Sequence, residues 1–148
     1  MSHSRIAIIV VVFVVALLVL TVAPLVAHEG REVGEYAIEF GWRLEPAYTD
    51  LLNGPELYID EHDTETPVEG LESTLQLEVS FGPASKTLTL HPVIGEPGYY
   101  TADLIPTRPG DYTFHLTGTI GDTAVDETFS SADGEFSTVE PIDDIRFP

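Results

Sequence analysis

The chain has 148 residues, with 25 acidic side chains against 6 lysines and arginines and a formal net charge of −19. A field of that sign repels nucleic acid and anionic membrane surfaces, so no nucleic-acid partner is expected; it favours cations, basic proteins or a salty medium that screens self-repulsion. Cysteine is absent, which excludes disulfides, thiol chemistry, iron–sulfur clusters and thiolate metal sites.

The first segment sets the compartment. His3 and Arg5 precede an uncharged stretch from Ile6 to Ala27, apolar through Val22 and followed by Pro24 and Leu25-Val26-Ala27. Its length suits a spanning helix, which needs about 17–25 apolar residues. The proline and the small residue at Ala27 suit signal-peptidase cleavage. Residues 1–27 are therefore expected to form a hydrophobic helix, acting either as a signal peptide or as a membrane anchor. Both place the rest of the chain outside the cytoplasm, in the periplasm or at the cell surface. Cleavage would leave His28 as the new N-terminus of one domain of about 120 residues, long enough to bury a core.

From Glu35 onward the pattern is short, alternating and broken by Pro, Gly and Asp clusters. Residues 28–34 read as an N-terminal arm. Tyr36, Ile38, Phe40 and Trp42 alternate with Ala37, Glu39, Gly41 and Arg43, as in a half-buried strand. A connection through Pro46 and Gly54-Pro55 leads to a strand in which Leu57 and Ile59 share a face, and an acidic loop from Asp60 to Pro67 follows. Leu75, Leu77, Val79 and Phe81 alternate in a third strand. Gly82-Pro83-Ala84-Ser85 turns it into Lys86–His91, and Gly95-Glu96-Pro97-Gly98 turns that into Tyr99–Ile105.

Pro106-Thr107-Arg108-Pro109-Gly110 introduces Asp111–Ile120, where Tyr112, Phe114 and Leu116 share a face. Gly121-Asp122 is a two-residue hairpin signal before Thr123–Phe129. Residues 130–148 read as a polar, acidic C-terminal tail. Seven short strands over residues 35–129 predict an all-β fold, a two-sheet antiparallel immunoglobulin-like sandwich. Tyr112, just after a tight turn and opening a long strand, stands where a tyrosine corner stands, with its hydroxyl bonded to upstream backbone. Trp42 is expected in the core.

The stretch from Gly98-Tyr-Tyr to Pro106-Thr-Arg-Pro-Gly-Asp-Tyr-Thr-Phe114 resembles the "G-x-Y … P-T-x-P-G-x-Y-x-F" signature of filamin-type and related bacterial immunoglobulin-like domains. Asp60 to Gly70, with Pro67-Val68-Glu69-Gly70, is similar to a hairpin of exported bacterial sandwiches such as YtkA-like and FixH-like domains. A looser likeness is to small CopC-type periplasmic copper-binding sandwiches, which mature to an N-terminal histidine. Met1 is the only methionine, so the methionine-rich stretch that many such proteins use for Cu(I) is missing.

His28 is the sharpest candidate residue. As a free N-terminus its imidazole and α-amine would chelate Cu(II), and a second histidine brought in by the fold, His115 or His91, would extend the nitrogen set. In the strand pattern His115 and His91 oppose the apolar faces and are expected at the surface. The loop Asp60–Glu65, which includes His62, lacks the glycine and ligand spacing of a calcium loop and reads as a solvated acidic turn. Ser73, Ser80 and Ser85 have no nucleophile-elbow context, and no glycine-rich loop opens a helix for phosphate. The sequence therefore predicts a non-enzymatic exported accessory or interaction domain, with no cofactor and an unidentified protein partner, touching the membrane only through its first segment if that is retained. The alternative is a periplasmic copper-binding protein.

Overall fold

Twelve strands and three short 3-10 turns form in the computed structural model, which describes residues 28–148. The expected hydrophobic helix of residues 1–27 lies outside the described residues. In chain order the first six strands are β1 (Glu29–Val33), β2 (Tyr36–Trp42), β3 (Ala47–Tyr48), β4 (Pro55–Glu61), β5 (Thr66–Pro67) and β6 (Leu75–Phe81). They are followed by β7 (Ala84–Leu88), β8 (His91–Pro92), β9 (Tyr99–Thr101), β10 (Thr113–Ile120), β11 (Thr123–Ser130) and β12 (Val139–Glu140).

One sheet has the order β1-β2-β4-β9-β8, with β5 hooked onto β4, and the other has the order β11-β10-β6-β7. Pairing within both is antiparallel; only the small β3–β12 ladder is parallel. The period-two patterns become the inner faces. Ile38, Phe40, Leu57 and Ile59 of the first sheet meet Leu77, Phe114, Leu116 and Phe129 of the second in one buried cluster. Phe40 stacks on Phe129 with ring centroids 4.4 Å apart and meets Phe114 at 5.0 Å. Such contacts add to the burial that holds two sheets together. The molecule is thus an antiparallel β-sandwich.

Each of the seven predicted strands is present, with shifted ends, but the strand count differs. The chain expected as one strand over Lys86–His91 is divided: β7 ends at Leu88, and His91–Pro92 pairs with β9 in the opposite sheet. Two-residue ladders at β3, β5, β8 and β12 account for most of the excess. The segment read as an arm is β1, an edge strand. Its inward positions hold charge: Glu29 is paired with Phe40 in register and is only 1% exposed. One carboxylate oxygen takes a hydrogen bond from Arg31, whose guanidinium lies 5.5 Å from the ring centre of Phe129. The other oxygen has no hydrogen-bond partner among the described residues. Burial, the largest effect, holds this carboxyl above its ordinary range, against the pull of Arg31.

The acidic tail also packs back. A 3-10 turn over Ser131–Asp133 follows β11, and Phe136 and Val139 are buried in the core cluster. Phe136 lies 5.5 Å from Phe40, and the Trp42 indole donates to the Ser137 carbonyl at 2.9 Å. A buried indole N–H needs such an acceptor, so the tail supplies what the core tryptophan requires.

Candidate functional site

Two regions concentrate polar chemistry. The first is the outer face of the β1-β2-β4-β9-β8 sheet. Since Leu57 and Ile59 of β4 point inward, Glu56, Tyr58 and Asp60 point outward. Register places Tyr99 and Glu39 beside Tyr58, and Thr101 beside Glu56. Glu29 pairs with Phe40, so His28 lies beside Gly41, the β2 residue opposite Glu56. Gly41 has no side chain, and the His28 imidazole reaches Glu56 across it.

The carboxylate of Glu56 is the hub. Its Oε1 lies 2.6 Å from His28 Nε2, and its Oε2 accepts from the Tyr99 hydroxyl at 2.8 Å. Tyr58 stacks on Tyr99 with centroids 4.4 Å apart, and the His28 ring stands edge-on to Tyr58 at 6.4 Å. Burial, reinforced by the hydrogen bond to Glu56, pushes the Tyr99 phenol far up from its ordinary value. Both carboxylate oxygens of Glu56 are engaged by neighbouring side chains, so the arrangement orients the His28 and Tyr99 rings.

The other candidate histidines lie elsewhere. His91 is exposed on β8, on the same outer face, but β2, β4 and β9 lie between it and the His28 strand, at about 4.8 Å per strand. His115 is on the outer face of the other sheet, with Nε2 2.6 Å from Asp126 Oδ1 at an exposed position. The fold therefore does not gather His28, His91 and His115, and among the described residues no three His, Cys, Asp or Glu side chains converge to hold a metal ion.

The second region was not visible in the sequence as a site. A groove of about 440 Å³ opens between the β6–β7 hairpin and the segment Leu104–Arg108. Val79, Phe81 and Ala84 line one wall, Leu104 and Pro106 the other, and Tyr112 the floor. The tyrosine corner builds the second wall. The Tyr112 hydroxyl donates to the Arg108 carbonyl at 3.0 Å and accepts from the Arg108 amide at 3.4 Å, and the Tyr112 ring lies 4.9 Å from Phe81. Lys86 and Arg108 also line the groove, one from each wall. Arg31, Arg43 and Arg146 each form an ion pair, with Glu29 and Glu127, Asp103 and Asp143 respectively. Lys86 and Arg108 form none among the described residues. A signal was available in the sequence: two of the few bases flank a hairpin turn and a tyrosine-corner turn.

Beside the groove, the connection after β3 runs antiparallel to Leu104–Pro106. The Asp50 amide donates to the Pro106 carbonyl at 2.8 Å, and Asn53 and Leu104 bridge. Between those contacts Leu51 and Leu52 lie opposite Ile105, with 44%, 56% and 53% of their surfaces exposed. Leu44, 58% exposed, is held near them because the Asn53 amide side chain bonds both backbone groups of Leu44.

No protein-family model matches the chain, and no curated protein matches it. Among solved structures the chain is similar to a DUF4426 family protein from Pseudomonas aeruginosa PAO1, with 14% identity and a TM-score of 0.51, over 70% of this chain and 92% of that one. At that identity the likeness concerns the fold: the β-sandwich recurs over nearly the whole length of the Pseudomonas protein.

Proposed function

We propose that the chain is an exported, non-enzymatic immunoglobulin-like domain that serves as an accessory or interaction domain at the outer face of the membrane. Support for export comes from the uncharged Ile6–Ala27 segment and from the likeness of Asp60–Gly70 to YtkA-like and FixH-like exported sandwiches. The immunoglobulin-like reading is supported by the bonded Tyr112 corner and the buried Trp42. The observation that carries the interaction role is the group Leu44, Leu51, Leu52 and Ile105, four large exposed aliphatic side chains that backbone pairing holds on neighbouring segments, whereas the other exposed large hydrophobics, Ile94, Ile145 and Phe147, lie on separate segments. Large apolar side chains exposed together on neighbouring segments are a common mark of a contact surface.

The test is photo-crosslinking in the native host from a reactive residue at position 52, with position 126 on the far sheet as control. A discrete adduct at 52 that disappears in Leu51→Asp supports the reading. Equal labelling at both positions, or none, overturns it. Intact mass of the same material reports whether the chain starts at Met1 or His28.

A second reading, Cu(II) binding at a mature N-terminus, draws on one observation. Glu56 occupies Nε2 of His28, while Nδ1 makes no hydrogen bond among the described residues. A carboxylate on the distal ring nitrogen is how metal-bound histidines are usually oriented, and it leaves Nδ1 to chelate with the α-amine. Copper titration of protein beginning at His28 tests it. Binding lost in His28→Ala and weakened in Glu56→Gln is expected; binding indifferent to both would remove the reading.

A further inference from the structure

We infer that the groove between the β6–β7 hairpin and Leu104–Arg108 binds a small amphipathic carboxylate, an apolar tail bearing a single anionic head. This goes beyond the protein contact proposed above, which it adjoins at Ile105, and it is argued from different observations. Three observations converge. The groove's volume, about 440 Å³, falls within the ~300–1,000 Å³ typical of small-ligand sites. Its walls and floor present Val79, Phe81, Leu104, Pro106 and the Tyr112 ring, with no carboxylate in the lining. In a chain of net charge −19 that omission is selective.

Charge complementarity commits the occupant. Carboxylates outnumber bases by 25 to 6, so most bases would be expected to acquire an acidic partner, as Arg31, Arg43 and Arg146 do. Lys86 and Arg108 keep theirs free among the described residues, and both line this groove. A carboxylate head between them would gain charge-assisted hydrogen bonds, while its tail covers Phe81 and Tyr112. The Arg108 backbone is held by the Tyr112 hydroxyl, so the cation sits on an anchored turn. A dianionic or polymeric anion fits less well, because the field of the surrounding acids repels added charge.

The probe is decanoate, with decanol as the neutral control, titrated into the protein of residues 28–148 and followed by amide chemical shifts at pH 7. Decanoate is expected to perturb Val79, Phe81, Lys86, Leu104 and Arg108 and to bind more tightly than decanol. Replacing Lys86 or Arg108 by Ala should weaken decanoate by about fivefold each, the scale of a partly exposed ion pair, and leave decanol unchanged. Ala84→Trp should fill the groove and abolish both, with an unchanged β-sheet spectrum showing that the variant folds. Perturbations scattered over the exposed leucines, or decanol binding as well as decanoate to the wild type, would falsify the proposal. A protein that cross-links at position 52 but ignores decanoate loses the groove ligand and keeps the interaction reading. One that binds decanoate without cross-linking does the reverse.

Discussion

The two polar regions of this sandwich solve opposite problems with similar residues. On the outer face of the β1-β2-β4-β9-β8 sheet, Glu56 takes contacts from both His28 and Tyr99, and neighbouring rings cover the hub. In the groove, Lys86 and Arg108 flank apolar rings, no carboxylate is among the lining residues, and Asp103, which shares a neighbouring cleft with Lys86, is paired with Arg43. A carboxylate engaged on both oxygens stabilises its own fold, whereas bases left unpaired beside apolar surface are available to something else. Judged this way, Glu56 in the region the histidine pattern singles out has both oxygens engaged, whereas the two bases of the region it passes over are unpaired among the described residues.

The largest expected effect attacks the saturated side. Glu56→Ala leaves the buried Tyr99 hydroxyl without its acceptor and His28 without its partner, and should cost about 2 kcal/mol in urea denaturation at pH 7. A cost near zero would mean the cluster is ornamental and would erase the contrast. Next is Tyr112→Phe, which removes both bonds to the Arg108 backbone. It should cost about 1 kcal/mol and also weaken decanoate, since the turn carrying Arg108 loosens. Stability lost with decanoate affinity intact would separate the tyrosine corner from the groove.

Glu29→Gln gives a smaller effect that depends on pH. Burial raises the carboxyl above its ordinary 4.5 in the folded protein. The folded state therefore holds the proton more tightly than the unfolded state, and Glu29's contribution to stability is lost as pH rises through the folded value. The variant should gain on the wild type between pH 4.5 and neutrality, read as the slope of the melting-temperature difference against pH. A flat difference would show that Arg31 fully compensates the buried charge. The smallest effects belong to Lys86→Ala and His115→Ala. Each should change stability by less than about 0.5 kcal/mol, because both side chains are exposed and the pair of His115 with Asp126 is screened by solvent. A larger loss for Lys86→Ala would mean that it is paired after all, and the unpaired side of the comparison would fall.

Much of the frame was legible because alternation over four or more residues leaves little choice of inner face. Ile38-Phe40-Trp42, Leu75-Leu77-Val79 and Phe114-Leu116 all point inward as their patterns demand. Gly121-Asp122 closes the β10–β11 hairpin, with φ of 56° at Gly121. The edge strand β1 was not legible, because Glu29 and Arg31 occupy positions where alternation calls for apolar side chains. The tail's role was hidden for a related reason: Phe136 and Val139 are isolated among polar residues, and only their burial in the core cluster, the distance of Phe136 to Phe40 and the Trp42 bond to Ser137 show that they complete the core.

By itself the sequence determined an acidic, cysteine-free β-chain that follows an uncharged apolar stretch, with Tyr112 at its corner and Trp42 in its core. These are matters of local period, turn chemistry and composition, each decided within a few neighbouring residues. Tertiary structure alone decided which charges meet. His28 reaches a glutamate 28 residues away because a glycine lies between their strands. Lys86 and Arg108 share a groove because a hairpin of one sheet faces a loop leaving the other. Side-chain contacts of that kind depend on strand order and register, which a period-two pattern does not encode.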